Sequence, residues 1–161
     1  MDHIPSEIVE ATWKRMAAMS LRDARRVAKL FEKQQPMVVS YLLTVDTDIL
    51  NQDERQLLFY LGTAIWQMMS QGKTSLPKVT EDVLDKAEDR NIKMAEYLLG
   101  ETGSGFVAAT KMIIGGYRQA EVLRYVVEAL MEEPEEGCII RDKNLGIMFL
   151  DLKTVIDCFD I

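Results

Sequence analysis

Apolar residues recur along the chain at steps of three and four, the spacing that gathers them on one side of a helix. Strand-like alternation nowhere lasts more than a few residues. Turn-forming residues come at intervals of about 15–30 residues, too far apart for a protein of short strands. The pattern predicts an all-α fold. It is expected to be a single-domain helical bundle of six or seven helices spanning residues 1–161, with mostly antiparallel neighbours because the connections are short.

Local signals place the elements. Ser6, just after Pro5, opens the first helix, with Glu7 at the positive end of its dipole and an apolar stripe of Val9, Trp13, Met16 and Ala17. Ser20, with Asp23 three residues on, caps a second helix whose apolar side is Leu21, Ala24, Val27, Ala28 and Phe31. Pro36 opens a short third helix reaching about residue 45. Asn51 and Glu54 form a start signal for a fourth. Its stripe is Leu57, Leu58, Leu61, Ala64, Ile65, Met68 and Met69, while Phe59, Tyr60 and Trp66 lie off it. A helix apolar on nearly all sides belongs in the middle of a fold.

Gly72 stops that helix and residues 73–77 form a loop. Thr80 caps a polar helix running to residue 99, which Gly100 ends, and residues 102–105 form a second loop. The longest helix is expected over residues 106–131. Its seam of Phe106, Ala109, Ile113, Gly116, Ala120, Leu123, Val127 and Leu130 alternates steps of three and four, a heptad rhythm. The rhythm crosses Gly115 and Gly116 without slipping, so the helix is expected to be continuous. Each mid-helix glycine costs about 1 kcal/mol relative to alanine, offset by close approach of a neighbouring helix over Ala109, Gly116 and Ala120. The last helix begins near Asp142 or Asn144. Leu145, Met148, Phe149, Leu152, Val155, Ile156 and Phe159 form its stripe, and Asp151, Lys153 and Asp157 lie away from it.

Composition removes several chemistries. The single histidine, His3, sits at a terminus expected to fray, which discourages histidine-assisted nucleophilic catalysis and most transition-metal sites. Cys138 and Cys158 lie 20 positions apart, with no C-x-x-C pair, and read as reduced thiols. Gly103, Ser104 and Gly105 precede a helix, but neither phosphate-binding glycine pattern is present, so they read as a plain loop. The N-terminus carries no positive and apolar leader, and the longest uncharged stretch falls short of the ~20 residues that span a bilayer. A cytoplasmic protein without membrane contact is the expectation.

Charge is unevenly spread. The chain carries −7 overall, yet residues 11–35 hold seven basic and two acidic residues, +5, which leaves −12 for the rest. Arg22, Arg25, Arg26, Lys29 and Lys33 form one basic stripe opposite the apolar side of the second helix. It suits an acidic partner, phosphate or the acidic side of another copy, unless it simply balances the rest of the molecule. Nucleic acid is disfavoured, because no aromatic interleaving accompanies the arginines. On the polar helix, Asp82, Asp85, Glu88 and Asp89 recur at helical spacing and are the candidate metal ligands.

The leading expectation is a non-enzymatic, cofactor-free protein-interaction or regulatory module that binds another protein or itself as a homodimer through the basic stripe. One alternative is a Mg²⁺-dependent hydrolase of a nucleotide or other phosphorylated small molecule, using the acidic face and an activated water. Another is a bundle that binds a small apolar ligand near Trp66.

Overall fold

Helix starts fall where the capping residues put them. In a computed structural model of the chain, which describes residues 2–98 and 104–161, α1 spans Ser6–Ala17 and α2 spans Leu21–Gln34. The Ser20 hydroxyl accepts from the Asp23 amide at 3.2 Å. Helix α3, Pro36–Thr44, has proline in its first turn, where the missing N–H costs nothing. Helix α4, Gln52–Met69, opens with a reciprocal capping box. The Asn51 side chain accepts from the Glu54 amide at 2.7 Å, and Glu54 accepts from the Asn51 amide at 2.9 Å.

The second half divides more finely than the periodicity predicts. The polar segment forms α5, Glu81–Ile92, and a short α6, Ala95–Leu98, separated by a turn at Lys93 and Met94. Both pack on the last helix, and the turn lets them follow its surface. The expected stop at Gly100 and the start of the loop at residues 102–105 lie outside the described residues. Helix α7 spans Ser104–Ile114 and α8 spans Ala120–Met131. A 3₁₀ turn, Asp142–Asn144, leads into α9, Leu145–Phe159, which begins where expected. No strand occurs among the described residues, and the helical segments outnumber the expected six or seven.

The expectation of one continuous helix over residues 106–131 is overturned at Gly115 and Gly116. Residues 117–119 leave the helix to tie the two chain ends together. Gln119 is buried; its side-chain oxygen accepts from the Ile4 amide at 2.9 Å, and its amide nitrogen donates to the Asp2 carbonyl and the Asp160 carboxylate. Arg118 donates to the same carboxylate at 2.8 Å. These bonds hold residues 2–4, expected to fray, against the body, although His3 itself stays exposed. Nor do the glycines admit a close neighbour: a Cβ at Gly116 would meet nothing within 4 Å. The φ of Gly116 is not in the left-handed region. Gly116→Ala is therefore expected to stabilise the protein by about 0.4–1 kcal/mol, by restricting the unfolded chain. Urea denaturation checks this, and a loss of stability would show that the turn needs glycine. Gly62 on α4 is the site of real close approach, since a Cβ there would stand 2.4 Å from Leu42 Cδ1.

The core centres on α9, which packs against α4, α5, α6 and α8. Its stripe is buried as expected, and so are Asp151 and Lys153 on its other sides, at 7% and 6% exposure. The second half of α4 is likewise buried, with residues 61–66, 68 and 69 inside and Trp66 stacked on Phe31 at 4.9 Å between ring centres. The buried face of α1 is Val9, Thr12 and Met16, with Trp13 and Ala17 exposed. The Thr12 hydroxyl takes a place in that face by accepting from Gln71 at 2.7 Å. Cys138 and Cys158 are both free, the first exposed and the second buried, where burial pushes its thiol up to about 12.

Candidate functional site

Helix α2 hardly belongs to the core. Of its expected apolar side, only Phe31 is buried; Val27 and Ala28 are half-buried, and Leu21 and Ala24 are exposed. Among the described residues nothing covers the rest, and a groove of about 390 Å³ remains in front of it. Met16 and Met19 form one end of the groove and Ala24, Val27 and Ala28 one wall. Phe59, Tyr60 and Thr63 of α4 form the opposite wall, and Leu43 of α3 the far end. Leu43 is 53% exposed and Leu21 68%, so the apolar surface continues past the groove's edge. Arg25 and Arg55 are the charged side chains on its lining.

All five residues of the basic stripe are exposed. Arg26 lies 3.9 Å from Asp23, a marginal surface pair, while Arg22, Arg25, Lys29 and Lys33 form no ion pair among the described residues. Among the described residues, no acidic side chain beyond Asp23 is paired with the stripe. Leu21, Arg22, Arg25, Arg26 and Lys29 line a second shallow depression beside the groove. A greasy trench and a row of unpaired cations therefore share one helix, which joins apolar burial to charge recognition.

The four candidate metal ligands are not all drawn to one face of the fold. Asp82, Asp85 and Asp89 are exposed, and Asp82 forms an ordinary surface pair with Lys86 at 2.9 Å. Glu88 alone is half-buried, facing a cavity shared with Asp46 and Asp151. Among the described residues, no group of three or more His, Cys, Asp or Glu side chains is arranged to hold a metal ion. Trp66, expected beside an apolar ligand pocket, is filled against by Phe31 and does not line the groove.

Two polar clusters that the periodicity did not reveal lie inside the fold. In the first, burial works against ionisation of Glu54, but bonds from Arg141, Asn51 and Asn144 outweigh it and hold the carboxyl at about 2. Arg141 donates to it from its amide at 2.9 Å and from its guanidinium at 2.7 Å, and Asn144 donates at 3.0 Å. In the second, the Lys153 ammonium donates to Asn91 at 2.7 Å and to Asp157 at 2.9 Å, and lies 5.0 Å from the centre of the Tyr117 ring. Tyr117 donates to the other oxygen of Asp157, and Asn91 donates to Asp157 and to Thr154. Every polar group in this cluster has a partner within the protein, the condition of a structural rivet rather than a waiting site.

Comparison with protein families, curated proteins and solved structures returns no match. No helix among the described residues is long and apolar enough to cross a membrane.

Proposed function

We propose that the chain is a protein-interaction module whose α2 groove takes up an acidic amphipathic helix from a partner protein. The observation that carries the reading is the half-covered α2, with its apolar side facing an open groove and with Arg22, Arg25, Lys29 and Lys33 in no ion pair among the described residues. A partner helix laid in the groove buries its apolar stripe against Met16, Met19, Phe59 and Tyr60. Acidic residues at the edge of that helix meet Arg25, which lines the groove, and extend past it towards Arg22 and Lys29 in the depression that shares Arg25. This is the helix-in-groove mode of recognition, in which apolar anchors give affinity and charge selects the partner. The remaining helices form, in this reading, a single bundle around α9 that holds the groove rigid. No catalytic step is assigned to the site.

The test is a fluorescence-anisotropy titration with a labelled amphipathic peptide of about 16 residues, leucines on one face and glutamates on the other. The expected result is saturable binding that weakens with salt, as exposed charge pairs do. Combining Arg22→Glu, Arg25→Glu and Lys29→Glu weakens it about tenfold or more without altering the circular dichroism spectrum, since all three side chains are exposed. Equal binding by the triple variant, or equal binding of the same peptide with lysine for glutamate, contradicts the proposal.

A further inference from the structure

The cavity that Glu88 faces has a different character from the groove. It measures about 270 Å³ and lies between α3, α5 and α9. Asp151 of α9 reaches it although it is only 7% exposed. One of its oxygens accepts from the Tyr41 hydroxyl at 3.3 Å; the other is buried with no donor. Asp46, just beyond the C-terminus of α3, also has a buried oxygen with no donor. Its φ of 54° lies in the left-handed region, uncommon outside glycine, and its side chain lines the same cavity as Asp151. Two buried carboxyl oxygens without a donor favour either a proton or a cationic group between or beside them.

The walls say what kind. The charged side chains on the cavity are Asp46, Glu88 and Asp151, all acidic, and none is Lys, Arg or His. Tyr41, Asn91 and Thr154 add polar atoms, and Val45, Ile92, Ile147 and Leu150 add apolar surface. Among the described residues, no third His, Cys, Asp or Glu side chain joins Asp46 and Asp151 in a group that could hold a metal ion. An alkylammonium supplies three N–H donors to the carboxyl pair and lays its methylenes on the apolar wall. Half-buried Glu88 offers a second anionic contact.

We propose that this cavity binds an alkyl-diammonium ligand, one ammonium held by Asp46 and Asp151 and the other by Glu88. Burial first, then the facing Asp46 carboxyl, pushes Asp151 well above the usual carboxylate range. Protonation of Asp151 competes with the ammonium, so affinity rises with pH. The titratable groups facing the pair are Tyr41 on α3 and Glu88 on α5. Burial first, then the charge of Asp151, keeps the Tyr41 phenol protonated.

The experiment is isothermal titration of the full chain with 1,4-diaminobutane at two pH values, alongside butylamine and Mg²⁺. The expected result is one saturable site for the diamine, tighter at the higher pH. Asp151→Asn, which keeps the acceptor for Tyr41, weakens binding about tenfold or more. Glu88→Gln weakens the diamine but not butylamine, and Asp82→Asn on the exposed face of α5 changes neither. Thermal melting of each variant verifies folding. No saturable heat with about 10 mM diamine, unchanged binding by both Asp151→Asn and Glu88→Gln, or binding of Mg²⁺ in preference to the diamine overturns the proposal.

Discussion

Lys153→Ala is expected to lower stability by about 3–5 kcal/mol, the cost of leaving a buried charge without its counter-ion. The ammonium is 6% exposed and sits on α9, at the centre of the molecule. Its removal leaves Asp157, 14% exposed, with only neutral donors from Asn91 and Tyr117. It also opens a hole where the side chain lay over the Tyr117 ring. The cluster joins α9 to α5 through Asn91 and to the turn before α8 through Tyr117, so the loss reaches three parts of the fold. Lys153→Met fills most of the space and removes only the charge, which separates the two contributions. Urea denaturation gives both values. A change below about 1 kcal/mol for Lys153→Ala would mean that the ammonium contributes little to holding these elements together.

Glu54→Ala is expected to cost about 3 kcal/mol or more at neutral pH, and the cost should shrink in acid. A carboxyl held at about 2 against its ordinary 4.5 makes ionisation part of the folding free energy. The folded value is depressed, so the contribution is complete above the unfolded value of 4.5 and is lost as pH falls towards 2. The side chain is fully buried and holds residues 139–144 to the start of α4 through Arg141 and Asn144. Stability of the parent protein should fall through that acid window more steeply than that of Glu54→Ala, and the gap between the two curves should narrow. Parallel curves would contradict the assigned role of Glu54.

Much of the helical architecture was legible because it rests on local chemistry. The caps at Ser20, Asn51 and Thr80, proline at the start of α3 and the onset of α9 all follow from groups within a few residues of one another. The break between α7 and α8 was not, because its cause is remote: Gln119 satisfies atoms of residues 2, 4 and 160. A heptad rhythm shows which residues share a face if the helix continues and cannot show that distant chain ends claim the turn. The basic stripe was readable from spacing, but the open groove was not, since periodicity marks a face as apolar without saying what covers it. The buried charges of α9 left a signal that went unused. Its sequence is apolar on nearly every side, as in α4, so Asp151 and Lys153 had no solvent to point into.

The most direct test of the groove uses the methionine methyl groups as reporters in a nuclear magnetic resonance titration with the acidic amphipathic peptide. Met16 and Met19 line the groove, whereas Met112 and Met131 are exposed on α7 and α8, away from it. The account predicts that the Met16 and Met19 signals shift and saturate with bound peptide while Met112 and Met131 stay in place. Unmoved Met16 and Met19 at saturating peptide, or shifts confined to Met112 and Met131, would contradict it.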